Sequence, residues 1–213
     1  MVTLKKELIQ YKMKSSRRVF LASLFFLGIF NIAKAKKICR LTPSQPAGPF
    51  FKKDNVYQFS DLTNNGKAKG RIISIKGRIE NKDCIPYPYS RMIVWQANAY
   101  GKYNHENDLS KNKVDPNFNG YMKLQSDKNG LYNFTTIIPG AYKISKTIKR
   151  PPHIHIFIQT RTNKKVITQL YFKDHPLNKK DFLFNRDEKN SLLELNVKRS
   201  SDSLEYANYN FII

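Results

Sequence analysis

The sequence predicts an all-β protein, an antiparallel β-sandwich preceded by a signal peptide. Apolar and polar residues alternate in several short stretches, which is the pattern of half-buried strands. Gly, Asn and Asp residues lie between those stretches, as they do in tight turns. No convincing helical stretch follows the N-terminal segment. These observations favour stacked antiparallel sheets over a helical or an α/β architecture.

The predicted strands follow one another from residue 71 to the end of the chain. In residues 71–80, Ile73 and Ile75 share the face that we expect to be buried. Residues 127–130 read Asp-Lys-Asn-Gly and predict a turn between two further strands. The other strands are predicted at 91–97, 121–125, 131–137, 153–158, 166–172, 192–197 and 205–213. A short helix that opens at 191–195 is an alternative to the penultimate strand.

Residues 1–35 are predicted to be a signal peptide of the twin-arginine type. Arg17 and Arg18 precede an apolar run at 21–32, and Ala-Lys-Ala at 33–35 offers a cleavage site. We therefore expect export to the periplasm or secretion. The apolar run is shorter than the ~20 residues of a spanning helix, so no permanent membrane span is expected after processing. An uncleaved anchor is the weaker alternative, and Met13 is an alternative start of translation.

After this segment the sequence predicts one domain. Residues 41–51 contain three prolines and a glycine, so residues 36–70 are expected to form an extended N-terminal arm, with the β-sandwich domain at 71–213. The chain of 213 residues carries a formal net charge of +22, which favours anionic partners in general. Its lysines are spread along the chain without interleaved aromatic residues. This distribution predicts no nucleic-acid partner.

The chain has two cysteines, Cys39 and Cys84. In an exported protein, two well-separated thiols are candidates for one disulfide bond. Free buried thiols are the alternative.

His153 and His155 lie two residues apart in an apolar run. Side chains alternate between the two faces of a strand, so both imidazoles would point to one face and Ile154 and Ile156 to the other. Two histidines on one face supply half of a metal site. A pair of this kind is more often a core or surface pair than a ligand set, so the metal hypothesis depends on further residues.

Those further residues occur in motifs that lie in order along the chain. Tyr103 ends the segment W-Q-A-N-A-Y-G-K-Y, Tyr142 ends P-G-A-Y, and Arg150 opens R-P-P-H-I-H-I-F. Gln169 lies in T-Q-L-Y-F, and the arm carries T-P-S-Q-P-A-G-P-F. Together these motifs resemble the intradiol ring-cleavage dioxygenases of the protocatechuate 3,4-dioxygenase (beta-subunit-like) type. The resemblance implies that residues 71–213 form a catalytic β-sandwich with the prealbumin-like core of that family.

The resemblance also implies the cofactor, the reaction and the residues that carry them. The expected cofactor is Fe(3+), and the expected reaction inserts dioxygen into a catechol between its two hydroxylated carbons to give a cis,cis-muconate. Hard ferric iron favours anionic oxygen donors, which two tyrosinates would supply beside two neutral imidazoles. The implied iron ligands are Tyr103, Tyr142, His153 and His155, and the implied catalytic residues are Tyr142, Arg150 and Gln169.

One departure from the family bears on the substrate. The protocatechuate type usually continues the second tyrosine motif with Pro-Trp and a longer loop, whereas Lys143 and Ile144 follow Tyr142 here. The identity of the substituted catechol therefore stays open, as does homo-oligomer formation. A non-catalytic secreted β-sandwich binding module is the alternative function. A cupin metal site is disfavoured, because no glutamate lies between His155 and Gln169.

Overall fold

The structure is a computed structural model that describes residues 38–53 and 56–213. The predicted signal peptide at 1–35 lies outside the described residues. No helix in the described ranges is long and apolar enough to cross a membrane.

Almost all of the regular structure in the described residues is β, which confirms the prediction of an all-β fold. The same ranges contain three short 3-10 helices, at Asn178–Lys180, Phe184–Arg186 and Glu188–Leu193. The strands of the described residues are β1 (Ile72–Glu80), β2 (Arg91–Trp95), β3 (Tyr121–Gln125), β4 (Leu131–Ile137), β5 (Tyr142–Lys143), β6 (Lys149–Arg150), β7 (His153–Gln159), β8 (Lys165–Phe172), β9 (Glu194–Leu195), β10 (Lys198–Arg199), β11 (Glu205–Asn208) and β12 (Phe211–Ile212).

The strands form two five-stranded sheets and one small hairpin. The first sheet has the order β10-β11-β1-β12, with β4 also paired to β1, and the second has the order β3-β2-β7-β8-β9. Strands joined by short turns pair antiparallel, as expected. However, β11 and β12 pair parallel to β1, and β9 pairs parallel to β8. The sheets are therefore mixed, because the last strands return to distant partners through long connections, which alternation of side chains does not reveal.

The C-terminal segment differs from its prediction. Residues 205–213 form two strands, β11 and β12, instead of one. Residues 192–197 are divided between the end of the 3-10 helix Glu188–Leu193 and β9. The side chain of Asp187 accepts a hydrogen bond from the backbone N–H of Lys189 and so caps that helix.

The core lies between the two sheets. Ile73, Ile75 and Ile79 of β1 face Ile154 and other apolar residues of the second sheet, and all of them are fully buried. On the outer face of the second sheet lies a second apolar cluster of Val56, Ile93, Trp95, Ala97, Tyr103 and Phe157. Alternation along β7 therefore places its isoleucines in the main core and its histidines at the second cluster.

Residues 38–53 contain no helix or strand and run across the edge of β8. The backbone N–H of Gln45 donates to the carbonyl of Ile167 over 2.8 Å, and the Thr168 hydroxyl donates to the carbonyl of Pro43 over 2.7 Å. A disulfide joins Cys39 to Cys84, with 5.5 Å between their Cα atoms. This segment, which we call the arm, is thereby fixed at both the sheet and the turn after β1.

Candidate metal centre

Strand β7 supplies two imidazoles to one place. His153 and His155 are each 2% exposed, and their ring centroids are 4.8 Å apart. The Nδ1 atom of His153 lies 2.7 Å from the carbonyl oxygen of Pro151. A carbonyl only accepts hydrogen bonds, so Nδ1 carries the proton and Nε2 keeps its lone pair. His153 is therefore oriented as a ligand through Nε2.

Tyr103 reaches this position from the loop after β2. The side chain of Asn98 organises the loop, since its Oδ1 accepts hydrogen bonds from the backbone N–H groups of Tyr100 and Lys102. The phenol ring is 1% exposed and stacks on Phe50 of the arm, with 4.3 Å between ring centroids. Its hydroxyl oxygen lies 3.4 Å from Nε2 of His153. Contacts with the arm and with its own loop thus hold Tyr103 next to His153.

Tyr142 lies on the hairpin of β5 and β6, with its ring centroid 5.4 Å from that of Tyr103. In this hairpin Tyr142 pairs directly with Arg150, and Lys143 pairs with Lys149. The Ser145 hydroxyl oxygen accepts the backbone N–H of Ile148 and closes a tight turn. The Tyr142 hydroxyl lies 3.5 Å from Nε2 of His153. The segment that differs from the expected loop is therefore a short, closed hairpin.

His155 is oriented by ring stacking. Trp95 lies parallel to it, with centroids 4.8 Å apart and an interplanar angle of 10°. Nδ1 of His155 and Nε1 of Trp95 are buried without a hydrogen-bond partner among the described residues. Trp95 is fully buried in the second apolar cluster. The other two histidines, His105 and His175, lie outside this group and are half-buried.

The hydroxyls of Tyr103 and Tyr142 converge on His153, and the ring of His155 lies beside it. Nitrogen and oxygen ligands lie about 2 Å from a first-row ion such as zinc, so two ligands of one ion are roughly 3 to 3.5 Å apart. The distances from both phenol oxygens to Nε2 of His153 fall in this range. No three His, Cys, Asp or Glu side chains of residues 38–53 and 56–213 form a metal-binding group. A metal at this position must therefore depend on the tyrosines, and the donor set fits ferric iron.

Comparison with known proteins identifies the family of this chain. A family model described as "Dioxygenase" matches residues 47–213. The chain is 34% identical over 159 residues to the protocatechuate 3,4-dioxygenase beta chain of Burkholderia cepacia, an alignment that covers 68% of each protein. The chain belongs to the intradiol ring-cleavage dioxygenase family. It is thus an enzyme of the ring-cleaving dioxygenase class.

A further relative and two solved structures extend the comparison. Catechol 1,2-dioxygenase of Acinetobacter baylyi is 24% identical over 139 residues, which cover 59% of this chain and 44% of that relative. The dioxygenase domain of a dioxygenase carbohydrate-binding protein fusion from Streptomyces sp. SirexAA-E superposes with a TM-score of 0.67 at 26% identity, covering 82% of this chain and 98% of that domain. An intradiol ring-cleavage dioxygenase from Tetranychus urticae shares the fold, with a TM-score of 0.67 at 21% identity over 82% of this chain and 95% of that one.

Burial sets the protonation states of the intradiol dioxygenase site. Desolvation lowers the pKa of His153 to about 3, and the nearby charge of Arg150 acts in the same direction. The pKa of His155 is also held well below its ordinary value by burial, then by His153 and Arg150. Both imidazoles are therefore neutral near pH 7, the form that binds metals. Burial raises the pKa of Tyr103 and Tyr142, so these phenols need a bound cation to ionise.

Arg150 lies beside the predicted ligand Tyr142, with which it pairs in the hairpin, and is 5% exposed. Its Nε donates to Oδ2 of Asp181 over 2.5 Å, and its Nη2 donates to Oε1 of Gln169 over 2.7 Å. The Tyr171 hydroxyl also accepts from Nη2 over 3.2 Å. Gln169, predicted as a catalytic residue, therefore contacts Arg150, and its amide nitrogen donates to the carbonyl of Pro46 in the arm.

Sequence reasoning did not find Asp181, Tyr171 or Phe50 as parts of this site. Tyr171 belongs to the T-Q-L-Y-F segment and lies two residues after Gln169 in β8. Residues two apart in a strand share a face, so the sequence was sufficient to place Tyr171 beside Gln169. Phe50 lies in the arm motif, whose path over the sheet depends on long-range contacts. Asp181 follows Lys179 and Lys180 in an aperiodic stretch, which gives no signal of burial.

We expect Gly140→Ala to damage the intradiol site through the backbone. A Cβ at this position would lie 2.4 Å from the carbonyl oxygen of Ala99 and 2.6 Å from the backbone nitrogen of Gly101. These atoms belong to the loop that carries Tyr103, so the substitution forces that loop away from Tyr142. Overpacking of this kind costs about 1–3 kcal/mol. Thermal unfolding should show a lower Tm, and metal titration should show weaker iron binding.

Gly120→Ala provides the matched control. Its Cβ would lie 3.4 Å from the nearest atom, the Cβ of Asn104, which is ordinary van der Waals contact. This variant should keep the wild-type iron affinity. Equal effects of the two substitutions would show that the close approach at Gly140 does not set the position of the tyrosines.

Proposed function

We propose that the protein is a non-haem Fe(3+) dioxygenase that cleaves a catechol-type ring between its two hydroxylated carbons with dioxygen and gives a cis,cis-muconate product. The observation that carries this proposal is the convergence of the Tyr103 and Tyr142 hydroxyls on Nε2 of His153, at 3.4 Å and 3.5 Å. His155 lies alongside, and membership of the intradiol family supports the same chemistry.

In this proposal Tyr103, Tyr142, His153 and His155 hold the iron. When bound, ferric iron would act as a Lewis acid and as a template for the catecholate. Tyr103 is sealed by Phe50 and stays in place, whereas Tyr142 is only partly buried and lies on a two-residue strand. When a bound cation keeps it ionised, Tyr142 is therefore the tyrosinate that could accept a proton from a substrate hydroxyl at its own oxygen.

Arg150 supplies a permanent positive charge at the same site. A guanidinium stays protonated at any physiological pH, and in a buried site its charge is weakly screened. It can therefore stabilise negative charge that develops on the substrate ring. Gln169 holds Nη2 of Arg150 through its Oε1 atom, so it acts on the substrate through Arg150.

Metal content, the visible spectrum and an aerobic assay over a panel of catechols test the proposal together. We expect one iron per chain, a visible absorption band from tyrosinate-to-iron charge transfer, and a ring-opened product whose mass equals that of the catechol plus two oxygen atoms. The same panel identifies the ring substituent. A colourless, metal-free protein that cleaves no catechol would instead support a non-catalytic secreted binding module.

We expect Tyr142→Phe to give a folded protein with a changed visible spectrum and turnover reduced by about 10-fold or more. The substitution removes one phenolate donor and the proton acceptor, and it leaves the ring that packs against Tyr103 and His153. Absorption spectroscopy and steady-state kinetics measure the two effects. An unchanged spectrum and rate would remove Tyr142 from the site.

We also propose that the protein is exported by the twin-arginine route to the periplasm or the medium. The paired Arg17 and Arg18 support the route. The disulfide between Cys39 and Cys84 supports an oxidising destination, since such bonds are rare in reducing cytosol. Cell fractionation tests the proposal, and recovery of the protein with an intact N-terminus from the cytosol alone would refute it.

A further inference from the structure

Asp181 is the carboxylate in contact with Arg150. Its side chain is fully buried, and it lies in the connection between the 3-10 helices Asn178–Lys180 and Phe184–Arg186. A buried charge is costly unless it is paired and hydrogen-bonded. Both conditions are met here, because Oδ2 accepts from Nε of Arg150 while Oδ1 accepts from the backbone.

The backbone contacts hold the carboxylate rigidly. Oδ1 accepts the N–H of Leu183 over 3.1 Å and the N–H of Phe184 over 2.8 Å. Asn190 supports the same turn, since its Nδ2 donates to the carbonyls of Leu183 and Phe184. Rotation of the Asp181 side chain would break all three of its hydrogen bonds, so its Oδ2 atom is a fixed point for Arg150.

Two of the three guanidinium nitrogens of Arg150 are thereby committed. Asp181 holds Nε, while Gln169 and Tyr171 hold Nη2. The third nitrogen, Nη1, makes no hydrogen bond within the part of the chain that the structure describes. A guanidinium is planar, so fixing two nitrogens also fixes the direction of the third. Nη1 is therefore a donor held in one orientation, on a residue that pairs with Tyr142 in the hairpin.

The residue after Asp181 covers one face of the same cation. The guanidinium carbon of Arg150 lies 5.7 Å from the ring centroid of Phe182, which is itself 53% exposed. Asp181 and Phe182 thus hold the edge and the face of Arg150 from a single turn. This arrangement restricts both sliding and tilting of the guanidinium.

We propose that Asp181 is a positioning residue for the dioxygenase reaction. Asp181 orients Arg150 so that Nη1 of Arg150 faces the bound catechol. The inference rests on the proposed function, because Arg150 acts on the substrate only in that reaction. It adds a residue whose side-chain hydrogen bonds run to Arg150 and to the backbone of Leu183 and Phe184. Its effect should appear in turnover and not in iron binding.

Asp181→Asn is the variant that tests this inference. The asparagine has the same shape, and its oxygen can still accept from Leu183 and Phe184, but its amide group would present a donor to the Nε–H of Arg150. Asn190→Ala is the matched control, because it removes two hydrogen bonds from the same turn and leaves Arg150 untouched. Both variants should unfold at lower temperature than the wild type.

The first measurement does not depend on activity. In the 15N-labelled protein, the Nε–H resonance of Arg150, assigned by its loss in Arg150→Lys, should exchange slowly with water. We expect the slow exchange to disappear in Asp181→Asn and to persist in Asn190→Ala. A protected resonance in Asp181→Asn would overturn the inference.

The second measurement uses the iron-loaded enzyme. We expect kcat to fall about 10-fold or more in Asp181→Asn, with little change in KM, iron content or visible spectrum. Asn190→Ala should keep the wild-type kcat below its Tm. Equal kcat in Asp181→Asn and the wild type would leave the ion pair a purely structural role. Absence of activity in the wild type would refute the proposed function, and the protected resonance would still report the contact itself.

Discussion

His153→Ala should abolish iron binding. Nε2 of His153 is the atom on which both phenol oxygens converge, and its lone pair is fixed by the hydrogen bond from Nδ1 to the carbonyl of Pro151. Loss of a residue that only supports a metal ligand costs about 10- to 100-fold in affinity or activity, so loss of this ligand should exceed that range. Metal analysis should give an iron-to-chain ratio near zero, and catechol turnover should fall below detection.

His175→Ala is the control for this prediction. His175 is half-buried, and its Nδ1 accepts the backbone N–H of Leu177. This variant should keep the iron content, spectrum and turnover of the wild type. A His153→Ala protein that retained one iron per chain with the wild-type spectrum would show that the metal lies elsewhere.

Removal of the disulfide between Cys39 and Cys84 should have the second largest effect, a loss of folding stability. It closes a loop with a sequence separation of 45 residues. In the chain-entropy model such a crosslink stabilises the folded state by about 4 kcal/mol. The double variant Cys39→Ser with Cys84→Ser should therefore unfold at a Tm lower by roughly 2–4 °C for each kcal/mol lost.

A reducing agent provides the control for the disulfide. It should lower the Tm of the wild type to that of the double variant and leave the double variant unchanged. Below the Tm both proteins should still bind iron, because the arm is also held to β8 by Gln45 and Thr168. If reduction left the Tm of the wild type unchanged, the crosslink would contribute nothing to folding.

Local sequence patterns were sufficient to predict strand faces and turns, because these properties depend on residues that are close along the chain. Alternation along β7 predicted that His153 and His155 share a face and that Ile154 and Ile156 enter the main core. The Asp-Lys-Asn-Gly turn and the strands on either side of it were predicted at their observed positions. The family was identified from motifs whose order along the chain matters more than any one of them.

Properties that depend on distant pairing were not available in the same way. The parallel pairing of β11 and β12 with β1 brings together residues more than a hundred positions apart, and alternation specifies a face but not a neighbour. Asp181 is similar, because its burial follows from the pairing with Arg150 and not from its local sequence. A lone acidic residue after two lysines gives the appearance of an exposed charge.

The pairing of Tyr142 with Arg150 has a consequence for how such enzymes diversify. Their separation is set by the ladder of β5 and β6, while the tip of the hairpin at residues 145–147 takes no part in it. Insertions at the tip can therefore change the surface of the hairpin without altering this ladder. Tyr142 and Arg150 would keep their spacing, so evolution can change the loop beside them without changing the proposed reaction.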